Sequence, residues 1–87
     1  MIRKKITLPT GEIVKRRTAA QIVQVAGRYQ SRIMIEHENK VVNAKSMLGL
    51  LSLVNTNGVL TLTADGVDEQ AAVDHLLVLL GEIHKTL

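Results

Sequence analysis

The chain has 87 residues, 46% of them hydrophobic, which predicts one compact domain over residues 1–87. The absence of cysteine excludes disulfides, thiolate metal sites and a cysteine nucleophile, and no apolar run approaches the ~20 residues of a membrane span, so we expect a cytoplasmic protein without a membrane partner. The net charge of +3 is concentrated early, since residues 1–35 hold eight Lys/Arg against Glu12 alone, which favours an anionic partner.

The first part of the chain predicts a strand followed by a helix. Apolar and polar side chains alternate from Ile2 to Leu8, with Lys4 as an exception, and residues 9–11 end this strand. From Thr18 to Tyr29 apolar residues recur at three- and four-residue steps, the pattern of an amphipathic helix. Thr18 with Gln21 predicts a capping box at its start.

The middle of the chain predicts a hairpin and a short helix. Alternation over residues 32–37 indicates a second strand, and Glu38-Asn39 turns the chain back into a third strand over 40–43. The Leu-rich segment 46–53 lacks alternation, so we expect a short helix that begins at Ser46.

The last part predicts one more strand and one more helix. Asn57-Gly58 breaks the chain, and residues 59–64 alternate as a fourth strand that ends at Asp65-Gly66. Asp68 is the predicted cap of a final helix with a wide apolar stripe. The order β-α-β-β-α-β-α predicts an α+β fold, an open-faced β-sandwich with a four-stranded antiparallel sheet and three helices on one face.

A run of three cations, residues 15–17, lies at the predicted start of the first helix. Positive charge is unfavourable there because the macrodipole is already positive, by a few tenths of a kcal/mol for each cation. One interpretation is that these side chains and the free helix amides bind an anion or an acidic partner surface. The other is that the run is a solvated loop without a role.

Ser46 has two interpretations as well. It is a good N-cap for the short helix, and it is also a position where a phosphate would gain from the helix dipole and the free amides. Met47, Leu48, Leu50 and Leu51 follow directly, and in a helix of two turns they cannot all face the core. We therefore expect exposed apolar surface beside Ser46, as a binding patch requires.

No catalytic or metal constellation can be assembled from this sequence. His37 falls on a strand, while His75 and His84 are nine residues apart on the last helix, a spacing that makes no metal-ligand pair. No nucleophile, base and orienting group come together. We expect neither enzyme activity nor catalytic residues, and no metal or cofactor.

One segment carries a specific resemblance. Residues 43–53 read Asn-Ala-Lys-Ser-Met-Leu-Gly-Leu-Leu-Ser-Leu, which resembles the regulatory segment Asn-x-Lys-Ser-x-Met-Gly-x-Met-Ser-Leu of the HPr phosphocarrier family, with Leu48 and Leu51 in place of methionines. The resemblance extends over essentially the whole chain, through Arg17 to Tyr29 in the first helix and Asp68-Glu69 at the last helix. It implies the HPr-like fold.

The phosphocarrier site of that family departs here. The family pattern Gly-x-His-x-Arg-Pro is matched by Ile-Val-Lys-Arg-Arg-Thr at residues 13–18, so only Arg17 survives and Lys15 stands in the phosphoacceptor position. A lysine ammonium has no free lone pair near neutral pH and does not replace the histidine. The chain thus resembles the Crh-like branch (catabolite repression HPr), which lacks the histidine and keeps the regulatory serine.

This resemblance implies a role in carbon catabolite repression. Ser46 would be phosphorylated by HPr kinase/phosphorylase, and the phosphoprotein would bind catabolite control protein A, a LacI-type repressor, as its corepressor. The implied partner-binding residues are Lys15, Arg17, Ala20, Met47, Leu48 and Leu51. We expect a monomer or a weak dimer.

Two alternatives stay open. One is a non-phosphorylated adaptor that binds phosphotransferase-system partners through the same surface. The other is a basic nucleic-acid-binding domain that uses residues 3–5, 15–17 and 28–32. Direct nucleic-acid binding is not expected, because the chain has no Phe or Trp and only Tyr29 on which bases could stack.

Overall fold

The computed structural model describes residues 1–7, 15–54 and 58–85, the last four of these by their backbone alone. Its elements follow the predicted order β-α-β-β-α-β-α. They are β1 (Ile2–Thr7), α1 (Arg16–Ala26), β2 (Arg32–His37), β3 (Lys40–Asn43), α2 (Met47–Leu51), β4 (Val59–Asp65) and α3 (Glu69–Lys85). The predicted strand residue Leu8 and the predicted breakers at 9–11 and Asn57 lie outside the described residues.

The four strands form one antiparallel sheet in the order β1-β4-β2-β3, which leaves β1 and β3 at its edges. Apolar and polar side chains alternate along the strands, and the register places apolar side chains of neighbouring strands opposite each other on one face of the sheet. Ile6 lies opposite Leu60, and Ile35 lies opposite both Leu62 and Val42. These side chains share a single core with the apolar faces of the helices. The predicted α+β fold, with three helices on one face of the sheet, is confirmed.

The side chains of edge strand β1 are less buried than those of its neighbour β4. Its inward positions are Ile2 and Ile6, both only half-buried, and between them Lys4 stands opposite the fully buried Leu62. Lys4 itself is exposed, so β1 contributes no buried side chain opposite Leu62. The expected exception in the alternation of this strand is confirmed.

Helix α1 differs from its prediction at both ends. It begins at Arg16, after Lys15 in an extended conformation, and no side chain caps its start. Thr18 is buried inside the helix, so the predicted capping box is wrong. The helix ends at Ala26 and Tyr29 lies in the loop that follows. Burial of Thr18 together with Ala19 extends the helix, because packing outweighs the local capping preference.

Among the residues that the model describes, no helix is both long and apolar enough to cross a bilayer.

Candidate functional site

Ser46 occupies the N-cap of α2, as predicted. The Asn43 side-chain oxygen accepts the Lys45 amide at 2.9 Å, and the Asn43 carbonyl accepts the Ser46 amide at 3.0 Å, which bends the chain from β3 into the helix. The Ser46 hydroxyl oxygen then accepts the Gly49 amide at 3.1 Å. This bond satisfies one of the helix amides that lack an intrahelical acceptor.

Gly49 lies where α2 packs closely on β3. A Cβ at this position would lie 3.3 Å from Val42 Cβ and 3.5 Å from Ser46 Oγ. An added Cβ would therefore crowd Val42 on β3, whereas it would meet the Ser46 hydroxyl at an ordinary van der Waals distance. Glycine thus lets α2 pack closely on β3 beside the half-buried Ser46.

The apolar residues after Ser46 divide between core and surface, as expected. Leu50 is 1% exposed and belongs to the core, and Met47 packs partly against it. Leu48 is 82% exposed and Leu51 39% exposed. Two large apolar side chains therefore stand on the surface beside the cap, in the arrangement that a protein-binding patch requires.

The three cations at residues 15–17, which the sequence indicates as one candidate anion-binding run, lie at the start of α1. Lys15, Arg16 and Arg17 are exposed, Ala20 is exposed one turn later, and the first turn of α1 contains no acidic residue. Helix α1 packs against α2, so both helices contribute to one side of the molecule. We call the α1–α2 surface the set Lys15, Arg17, Ala20, Ser46, Met47, Leu48 and Leu51.

A second set of contacts, which the sequence did not reveal, lies behind this surface. The Lys45 ammonium donates to the Tyr29 carbonyl at 2.6 Å. The Tyr29 hydroxyl contacts His75 Nδ1 at 2.7 Å, and the two rings meet edge to face with centroids 5.9 Å apart. His75 is half-buried, and its contact with Tyr29 ties α3 to the loop after α1. Local patterns carry no signal for contacts that span 16 and 46 residues.

Asp68 also acts at long range. The sequence predicts it as the cap of α3, and it directly precedes that helix, but its carboxylate accepts the Gln30 amide at 2.8 Å and the Ser31 amide at 2.9 Å. It accepts the Ser31 hydroxyl as well. The Ser31 hydroxyl first, and then the two amides, hold the pKa of Asp68 below its usual value, because each stabilises the charged carboxylate.

The described residues contain no cluster of His, Asp or Glu that could hold a metal ion. His37 lies on β2 and His75 on α3, while the side chain of His84 is outside the described part of the chain. The described part of the chain also leaves out Ile13 and Val14, the first two residues of the segment that replaces the phosphocarrier pattern.

Comparison with known proteins identifies the family. A family model described as the PTS HPr component phosphorylation site matches residues 2–82. The chain is 40% identical over 83 residues to the HPr-like protein Crh of Bacillus subtilis (strain 168), covering 94% of this chain and 98% of that one.

Two solved structures are similar as well. HPr-C-His from Thermoanaerobacter tengcongensis has a TM-score of 0.83 and 38% identity, with 93% of this chain and 92% of that chain covered. The Crh crystal structure from Bacillus subtilis, a dimer with a swapping domain, has a TM-score of 0.69 and 38% identity, with 94% and 95% covered. The family match over almost the entire length, together with these identities, shows that the chain belongs to the HPr family.

Proposed function

We propose that this HPr-family protein is a Crh-like regulator of carbon catabolite repression and not a sugar phosphotransferase phosphocarrier. In this proposal HPr kinase/phosphorylase phosphorylates Ser46, and the phosphoprotein then acts as corepressor of catabolite control protein A, a LacI-type repressor. The observation that carries the proposal is Ser46 at the N-cap of α2, directly beside the exposed Leu48 and Leu51.

The geometry at Ser46 is compatible with phosphorylation of the folded protein. The kinase would transfer the γ-phosphoryl group of ATP to Ser46 Oγ, with loss of the hydroxyl proton and release of ADP. The product carries about −1.5 to −2 charges at the positive end of α2, where the dipole favours it. Its phosphate oxygens can accept the Gly49 amide that the hydroxyl now accepts, so the helix start can persist.

The α1–α2 surface supports a three-part contact with the repressor. Phosphoserine 46 would meet basic groups of the partner, and Lys15 and Arg17 would meet acidic ones. Leu48 and Leu51, with Met47 and Ala20 at their margin, would supply the apolar centre. All of these side chains are exposed or half-buried on two helices that pack against each other.

The test is incubation with HPr kinase/phosphorylase and ATP, followed by intact mass measurement. We expect the wild-type chain to gain the mass of one phosphate and Ser46→Ala to gain none. Ser52→Ala is the matched control, since Ser52 lies at the other end of α2 and should leave the gain unchanged.

An unmodified wild-type chain would contradict the proposal and favour the non-phosphorylated adaptor. Salt-dependent DNA binding by that unmodified chain would favour the nucleic-acid-binding domain instead.

Lys15 predicts the absence of phosphocarrier activity. It is exposed at the N-cap of α1, in the phosphoacceptor position of the family, and its ammonium offers no imidazole nitrogen. With phosphoenolpyruvate and enzyme I, we expect no phosphate at position 15. An acid-labile phosphoryl group found on Lys15 by mass spectrometry would contradict this part of the proposal.

Self-association is expected to be weak. Crh of Bacillus subtilis forms a dimer with a swapping domain. For this chain we propose a monomer or a weak dimer, and sedimentation velocity over a range of concentrations distinguishes these from a stable dimer.

A further inference from the structure

Lys45, the residue before Ser46, points away from the helix that Ser46 caps. Ser46 has an extended backbone, with φ −107° and ψ 112°, and neighbours in extended chain project to opposite sides. The Ser46 hydroxyl accordingly faces the Gly49 amide of α2, while the Lys45 ammonium reaches the loop that follows α1.

The bond that Lys45 makes there is short and half-buried. Its ammonium donates to the Tyr29 backbone carbonyl at 2.6 Å, and a charged donor makes a shorter and stronger hydrogen bond than a neutral one does. Lys40 offers a contrast within the same chain, since its ammonium donates to the Ser52 carbonyl at 3.3 Å from an exposed position. Lys45 thus joins the start of α2 to the loop after α1 by a short bond, whereas Lys40 joins β3 to the end of α2 by a longer, exposed one.

The loop that receives Lys45 is itself fixed. Asp68 accepts the amides of Gln30 and Ser31 and the Ser31 hydroxyl, and Tyr29 is joined to His75 on α3 through its own hydroxyl. The loop is also the direct continuation of α1. A tether to Tyr29 therefore ties the Ser46 turn to the helix that carries the Lys15 and Arg17 cations.

We propose that Lys45 is a positioning residue for Ser46. Its bond to the Tyr29 carbonyl fixes the Ser46 hydroxyl relative to α1, so that one partner can meet the hydroxyl and the α1 cations in a single geometry. The same bond keeps the Lys45 ammonium away from a phosphate on Ser46, which leaves that phosphate to the cations of the partner. This inference rests on the proposed function and adds the contact that positions Ser46 for its partner.

Hydrogen exchange of the free protein tests the tether without any kinase. In Lys45→Met, which keeps an apolar stem of similar length but removes the donor, we expect the Ser46 and Gly49 amides to exchange several-fold faster. Lys45→Arg should restore most of the protection, because a guanidinium can donate to the same carbonyl. Lys40→Met should leave both amides unchanged. Unaltered exchange in Lys45→Met would overturn the proposal.

Kinetics with HPr kinase/phosphorylase test the positioning. We expect Lys45→Met to raise KM several-fold with kcat within about twofold, because a loosened turn must be ordered on binding but is held by the kinase afterwards. Lys45→Arg should recover KM. An unchanged KM in Lys45→Met would overturn the positioning role. A wild-type chain that the kinase does not phosphorylate would instead defeat the proposed function, while hydrogen exchange still decides the tether.

Discussion

Ser46 stabilises the fold before any modification, because its hydroxyl oxygen accepts the Gly49 amide. We expect Ser46→Ala to lower the free energy of unfolding by about 1 kcal/mol, the usual effect of losing an N-cap. Ser52→Ala is a matched control, since the exposed Ser52 hydroxyl donates to the Gly49 carbonyl, which water can solvate instead. Urea denaturation measures both, and equal losses would contradict the capping role.

Two glycines should respond to alanine in opposite directions. Gly66 has φ +154°, and a Cβ there would lie 2.6 Å from Ser31 Oγ and 2.7 Å from Ser31 Cα. We expect Gly66→Ala to cost about 2 kcal/mol or more, because the Ser31 backbone must shift. At Gly81, inside α3, a Cβ meets nothing within 4 Å, so Gly81→Ala should gain up to about 1 kcal/mol. Thermal unfolding followed by circular dichroism separates the two signs.

At the scale of elements, Asp68 joins the start of α3 to the loop between α1 and β2, and this contact predicts a pH dependence. In the folded protein the Ser31 hydroxyl first, and then the Gln30 and Ser31 amides, hold the pKa of Asp68 below the ordinary value of an aspartate. The contribution of the Asp68 carboxylate to stability is therefore fully present when the pH lies above its pKa in the unfolded chain. This contribution is lost as the pH falls through the lower pKa that Asp68 has in the folded protein. Urea midpoints measured from neutral pH downward should fall less for Asp68→Asn than for the wild type at acid pH. If the urea midpoints of the two proteins fell in parallel with pH, the Asp68 carboxylate would not control the loss of stability at acid pH.

Local sequence patterns predicted the elements and the cap of α2. Alternation placed the strands β2, β3 and β4 to within one residue, and Ser46 was identified as a cap from its side chain and the apolar run behind it. The start of α1 was not predictable in this way, because Thr18 reads as a cap but is buried within the helix. Tertiary packing decided that boundary.

The contacts behind the site were also beyond local patterns. Lys45 meets Tyr29 across 16 residues, and Asp68 meets Ser31 across 37. Both pairings depend on how the sheet brings the loop after α1 beside the two helix starts, which no short window of sequence contains. The same holds for the exposed apolar pair, since the sequence required some exposure in 47–51 and packing selected Leu48 and Leu51.

At the scale of the whole molecule, exposed cations at the start of α1 and exposed leucines on α2 lie on two helices that pack against each other, and under the proposed function this predicts two kinds of effect on repressor binding. The phosphorylated protein should bind more tightly than the unmodified one, by a margin that shrinks as salt is raised. Arg17→Ala should weaken repressor binding strongly at low salt and less at high salt. The loss of affinity caused by Leu51→Ala should be nearly the same at both salt concentrations. Titration calorimetry at two salt concentrations measures these affinities. Equal binding by both forms would sink the corepressor proposal.

Both edges of the sheet carry a lysine, and this bears on encounters between chains. Lys4 stands at the centre of β1 on the side that faces the core, and Lys40 begins the four-residue strand β3. A second strand that paired with β1 would bring the Lys4 ammonium into the new sheet, where it would lose water without gaining a partner. An inward charge and a short edge strand are two ways in which native sheets avoid growing into aggregates. The charge of Lys4, on the core-facing side of the strand opposite Leu62, thus makes β1 a poor template for fibrillar growth.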